Sequence, residues 1–140
     1  MILFLYKWRV SDIMVIQIPL LCRPKKNSQQ IYVNSKTGKR FITQSDNYKQ
    51  FEKDCWQYLV KYQGLNIQKA VNVRCLFFVP DKRRRDIINL EEAIADILVK
   101  YKVIADDNYN IIHSWDGSRI IYEKNRAETI IEIEVVNERI

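Results

Sequence analysis

Histidine occurs once in these 140 residues, at position 113. A single imidazole cannot build a multi-histidine metal site, and no nearby Ser or Cys makes a convincing dyad with it, so His113 is assigned to structure or surface. Cysteine is nearly as scarce: Cys22, Cys55 and Cys75 are widely spaced and form no CxxC or Cys/His pattern. That argues against a zinc site, and the three read as reduced core residues of a cytoplasmic protein. Glycine and proline number three each, which argues against a low-complexity chain. No apolar run is long enough to span a membrane. The opening Met1-Ile2-Leu3-Phe4-Leu5-Tyr6 is short and is followed by Lys7, Arg9 and Asp12, and with no positive region ahead of it the layout is not that of a signal peptide. Residues 1–13 read as an extension, and residues 14–140 as one domain.

Hydrophobic residues make up 47% of the chain, enough for a core, and the net charge of +6 is unevenly spread. Residues 1–85 hold 17 Lys and Arg against 5 Asp and Glu; residues 86–140 hold 6 against 12. The basic part suits a polyanion and the acidic part a divalent cation. An uneven charge that only keeps a small domain soluble is the plainer alternative.

Residues 14–21 alternate as a strand, and residues 22–29 form a basic, polar loop. Gln30–Asn34 and Lys39–Thr43 flank a turn with Gly38 at a positive-φ position. A helix capped by Ser45 or Asp46 runs to about Tyr62 and buries Tyr48, Phe51, Cys55 and Leu59. Val71–Val79 is a strand ended by Pro80. A helix from about Asn89 to Lys100 carries Leu90, Ala93, Ile94, Ile97 and Leu98 on its inner face. Residues 109–115 and 129–136 are further strands. The order predicts an α+β fold, a small mixed β-sheet with two main helices packed on it.

The chemistry concentrates in one stretch: Lys82-Arg83-Arg84-Arg85, then Asp86, Glu92, Asp96 and the pair Asp106-Asp107. Glu92 and Asp96 lie one turn apart on one helix face and repel, and no Lys or Arg lies one turn to either side of Glu92. A cation offsets such repulsion. Basic residues hold phosphates, and clustered acids supply the hard oxygens that Mg²⁺ needs for hydrolysis of a phosphodiester. A purely structural reading makes Asp86 a helix cap and Asp106-Asp107 a turn.

Pro80-Asp81-Lys82-Arg83-Arg84-Arg85-Asp86, then Asn89-Leu90, Asp96 and Asp106-Asp107, together resemble the RusA family of Holliday junction resolvases. Ile18-Pro19 followed by Arg23-Pro24-Lys25-Lys26-Asn27-Ser28 resembles that family's opening strand and loop, so the likeness covers roughly residues 14–136. It implies a small RusA-like homodimeric endonuclease of phage or prophage origin, acting in recombination and repair. It also implies Mg²⁺ or Mn²⁺ as cofactor, branched DNA as substrate, and neither a membrane nor a small-molecule cofactor. By position, Asp86 matches the first catalytic Asp and Asp107 the later one. Two positions depart from the pattern: Ile88 stands where a second Asp is usual, and Glu92 where a Lys is usual. Since Glu92 lies one turn along from Ile88, the site reads as rearranged. Asp86, Glu92 and Asp107 are then the catalytic ligands, with Asp96 and Asp106 beside them at the metal. Lys25, Lys26, Asn27, Lys82, Arg83, Arg84 and Arg85 form the DNA-binding set. The alternatives are a catalytically inactive junction-binding protein and, from basic loops near Tyr32, Phe41 and Tyr48, a single-strand or RNA binder.

Overall fold

The computed structural model describes residues 13–25, 30–43 and 46–136. In chain order the elements are β1 (Ile13–Ile18), β2 (Gln30–Val33), β3 (Arg40–Thr43), α1 (Asp46–Leu59), β4 (Val71–Val79), α2 (Ile87–Lys100), β5 (Ile112–Ser114), β6 (Arg119–Tyr122) and β7 (Glu128–Val135). The expected extension lies outside the described residues except for Ile13, which opens β1.

The main sheet is built on β4, nine residues of mostly β-branched and aromatic side chains. β7 pairs antiparallel with β4 and also with β1, so that Ile131 lies opposite both Cys75 and Ile16. On its other edge β4 carries two short parallel partners: β5 at Val71–Asn72 and β6 at Leu76–Val79. The five strands form one mixed sheet, and β2–β3 is a separate hairpin. With two helices, this is the expected α+β fold.

Alternation decides which face is buried. Met14, Ile16 and Ile18 of β1, Val71, Val73, Cys75 and Phe77 of β4, and Ile131 and Ile133 of β7 all enter one core. The helices bring Tyr48, Phe51, Cys55 and Leu59 from α1, and Leu90, Ala93, Ile94, Ile97 and Leu98 from α2, as their apolar spacing predicts. Each fully buried Leu or Ile contributes about 1.5–3 kcal/mol. All three cysteines are free and buried. The alternate side chains, Ile13, Val15, Arg74 and Glu132 among them, leave the core for the open face. There a groove of about 650 Å³ is lined by Arg74, His113, Asp116 and Glu132.

Gly38 takes φ +70° at the hairpin, as expected. Three differences stand out. α2 begins at Ile87, two residues before the expected start near Asn89, with Asp86 at the N-cap position that the structural reading gave it. The strand expected over 109–115 shrinks to Ile112–Ser114, since the carbonyl of Asn108 accepts the amides of Ile111 and Ile112 in a turn. β6 was not anticipated: its middle residues Ile120 and Ile121 are adjacent and equally half-buried, so they carry no alternation.

Candidate active site

Pro80 stops β4, and the basic loop that follows is organised by one acid. The Asp81 carboxylate accepts the amide of Arg83 at 3.0 Å and a guanidinium nitrogen of Arg85 at 2.9 Å. The Arg85 hydrogen bond, with that amide, holds the Asp81 carboxyl below its ordinary value. Arg85 is thereby folded inward, with its side chain 15% exposed, whereas that of Arg83 is 85% exposed. Arg84 is also exposed, and the Lys82 ammonium lies 5.2 Å from the ring centroid of Tyr122.

Asp86 follows in extended conformation and starts α2 with its carbonyl, which accepts the amides of Asn89 and Leu90. Its side chain makes no capping bond. The exposed Asp86 carboxylate stands at the positive end of the helix dipole and accepts a long hydrogen bond, 3.5 Å, from the side-chain amide of Asn89. Ile88, two residues on, is 70% exposed.

One turn past Glu92, the Asp96 carboxylate accepts a hydrogen bond from the Lys25 ammonium at 2.7 Å. This contact, outweighing partial desolvation, raises the Lys25 value, and the charges of Asp96, Glu92 and Glu52 add to it. Relief for the acidic helix face therefore comes from the β1–β2 connection. Lys100, one turn beyond Asp96, instead pairs with Glu52 of α1, whose backbone carbonyl accepts the Tyr101 hydroxyl at 2.6 Å.

After α2 the chain reverses at Lys102, where φ is +55°. It returns beside Ile67, burying Val103 and Ile104. This brings Asp107 close enough to Asp96 for their charges to interact. Partial desolvation, then the Asp106 side chain and the Asp96 charge, hold the Asp107 carboxyl above its ordinary value. The amide of Asp107 donates to the Asp106 carboxylate at 2.7 Å, and Tyr109 beyond them is 78% exposed.

Among the described residues no three acids, histidines or cysteines form a ready-made metal cage. The donor set nevertheless fits Mg²⁺, which is normally held by one or two carboxylates, several waters and substrate phosphates rather than by an all-protein cage. The raised carboxyl of Asp107 is the kind of group a cation would relieve. Lys25, Glu92, Asp96 and, through Asp96, Asp107 are brought together electrostatically. Asp86 and the basic loop adjoin at the start of α2, while Lys26 and Asn27 lie outside the described residues. The Lys25–Asp96 pair was missed from sequence because 71 positions separate the two residues.

A family model, that of the endodeoxyribonuclease RusA, matches residues 22–135. No curated protein matches the chain.

Proposed function

The chain belongs to the RusA endodeoxyribonuclease family, and from that premise we propose that it is a Mg²⁺- or Mn²⁺-dependent nuclease that cuts four-way DNA junctions. The observation that carries this reading is the exposed carboxylate of Asp86, which makes no capping bond at the start of α2, directly behind a loop that presents Arg83 and Arg84. The loop cations bind backbone phosphates and set the register of the DNA. Asp86, Asp107 and Glu92 are the residues that would hold the ion, with Asp106 and Asp96 beside them. When bound, the ion polarises the phosphate and activates water for attack.

The protein acts as a homodimer, because two sites related by a twofold axis match two opposed strands of a junction. Its place is the cytoplasm, in recombination and repair. No helix among the described residues is long and apolar enough to cross a membrane.

One observation favours a second reading, a junction-binding protein without activity: the exposed side chain two residues after Asp86 is Ile88, which offers no oxygen to an ion. Calorimetric titration of Mg²⁺ and Mn²⁺ into the junction complex separates the two. Binding that weakens at least tenfold in Asp107→Asn and in Glu92→Gln supports the nuclease. No heat of ion binding in the parent protein leaves the inactive binder.

A further inference from the structure

We infer that Tyr122, with Lys82 over its ring, is a base-stacking contact that takes an unstacked nucleobase at the branch of the DNA. The inference rests on the DNA-binding part of the proposed function and deepens it. It needs neither an ion nor cleavage.

The sheet sets Tyr122 beside the basic loop. β6 runs parallel to β4, and Tyr122 pairs with Val79, the last residue of β4 before Pro80. The amide of Glu123 donates to the Val79 carbonyl at 3.0 Å, so the two strands end at the same level. The loop that leaves β4 then brings the Lys82 ammonium to 5.2 Å from the Tyr122 ring centroid. The chain beyond Tyr122 is fixed as well. The Arg126 guanidinium lies 3.5 Å from the ring centroid of Phe78 on β4 and binds Glu123 and Glu128, each at 2.9 Å. Tyr122 is therefore anchored by its backbone on both sides, yet it is 47% exposed.

Its surroundings select a nucleic acid. Arg85 and Arg126 are committed to acids, but Lys82, Arg84 and Lys124 are exposed and pair with no acid among the described residues. Cations of this kind follow a phosphate backbone while an aromatic ring offers its face to a base, and such stacking tolerates any sequence because every base has a π-face. Other exposed aromatics lack this setting. Tyr109 is 78% exposed but follows the acids Asp106 and Asp107, and Trp56 leans on Tyr101 with ring centroids 5.3 Å apart. In a linear duplex each base face is covered by its neighbours. At a branch the stack is interrupted and a face is free. A stacking contact at Tyr122 therefore favours branched over linear DNA.

The test measures binding in EDTA, where cleavage is blocked, to a synthetic four-way junction and to linear duplex of the same sequence. Losing one base stack in Tyr122→Ala should weaken junction binding about tenfold. Duplex affinity should stay at the parent value, and so should the salt slope, because no phosphate contact is lost. Tyr122→Phe should bind like the parent, since the ring rather than the hydroxyl makes the contact. A junction carrying 5-iododeoxyuridine at the branch, irradiated in the complex, should crosslink to Tyr122. Should Tyr122→Ala melt, Tyr122→Thr keeps a strand-forming residue and takes its place. A folded variant that binds the junction as the parent does, an equal loss on junction and duplex, a Tyr122→Phe protein as weak as Tyr122→Ala, or a branch crosslink that maps away from Tyr122 each overturns the inference. A parent that binds the junction but never cuts it refutes the nuclease reading alone, and a parent that does not bind the junction refutes both.

Discussion

The basic loop makes a quantitative prediction, because its cations are not equivalent. The Arg83 side chain is 85% exposed and lies 3.9 Å from the Asp81 carboxylate, whereas the Arg85 side chain is 15% exposed and bound to Asp81 at 2.9 Å. Arg84 is exposed. Arg83 and Arg84 should therefore each neutralise a phosphate, and Arg85 should hold the loop in shape. Each lost phosphate contact lowers the slope of log affinity against log salt by about 0.9 on duplex DNA. Changing both Arg83 and Arg84 to Ala should flatten it by about 1.8. Between about 50 and 200 mM salt, the parent's advantage over that variant should then shrink roughly tenfold. Fluorescence anisotropy of a labelled four-way junction in EDTA measures both slopes. Arg85→Ala is the control: it should lower the melting temperature with little change in slope. An unchanged slope in the double variant, or the larger slope change in Arg85→Ala, would refute the assignment.

Three further outcomes follow from the same structure. Gly117 has φ +85°, and a Cβ there would meet Arg74 Cδ at 2.9 Å, so Gly117→Ala should cost about 1–2 kcal/mol from backbone strain alone, read as a lower urea midpoint at unchanged m-value; an unchanged midpoint would contradict this turn geometry. Burial, helped by the Asp54 and Glu52 charges, pushes the Cys55 thiol up from 9.0 to about 12, and burial also raises Cys22 and Cys75. A raised folded value gives stability that is whole below about pH 9 and lost as pH rises through about 12, so urea melts should weaken across that range. Native protein at pH 8 should also resist alkylation until unfolded, and rapid labelling would contradict the buried placement. Sedimentation at micromolar concentration should show a dimer, and monomer alone, with and without DNA, would remove the paired-cut mechanism.

Much of the fold was legible because local pattern and tertiary packing agree. The stripe Tyr48, Phe51, Cys55 and Leu59 and the inner face of α2 are both buried as their spacing requires. β4 is a run of β-branched and aromatic residues that Pro80 closes. β6 was not legible: Arg119-Ile120-Ile121-Tyr122 has no alternation, and only pairing beside β4 makes it a strand. At the candidate site, charge clustering, helix spacing and the family resemblance are what single out the acids in the sequence. Their counter-charge could not be found that way. Glu92 and Asp96 looked unrelieved because the relieving cation, Lys25, comes from another part of the chain. Arg85 likewise resembled its neighbours in sequence, and only the Asp81 clasp sets it apart.

Strand cleavage of a synthetic four-way junction tests the central claim most directly. The parent protein with Mg²⁺ should nick two opposed strands at symmetric positions, cut linear duplex of the same sequence far less, and stop in EDTA. Asp107→Asn should bind the junction as tightly as the parent and leave it intact. A parent that binds the junction but leaves every strand whole in both Mg²⁺ and Mn²⁺ would contradict the account.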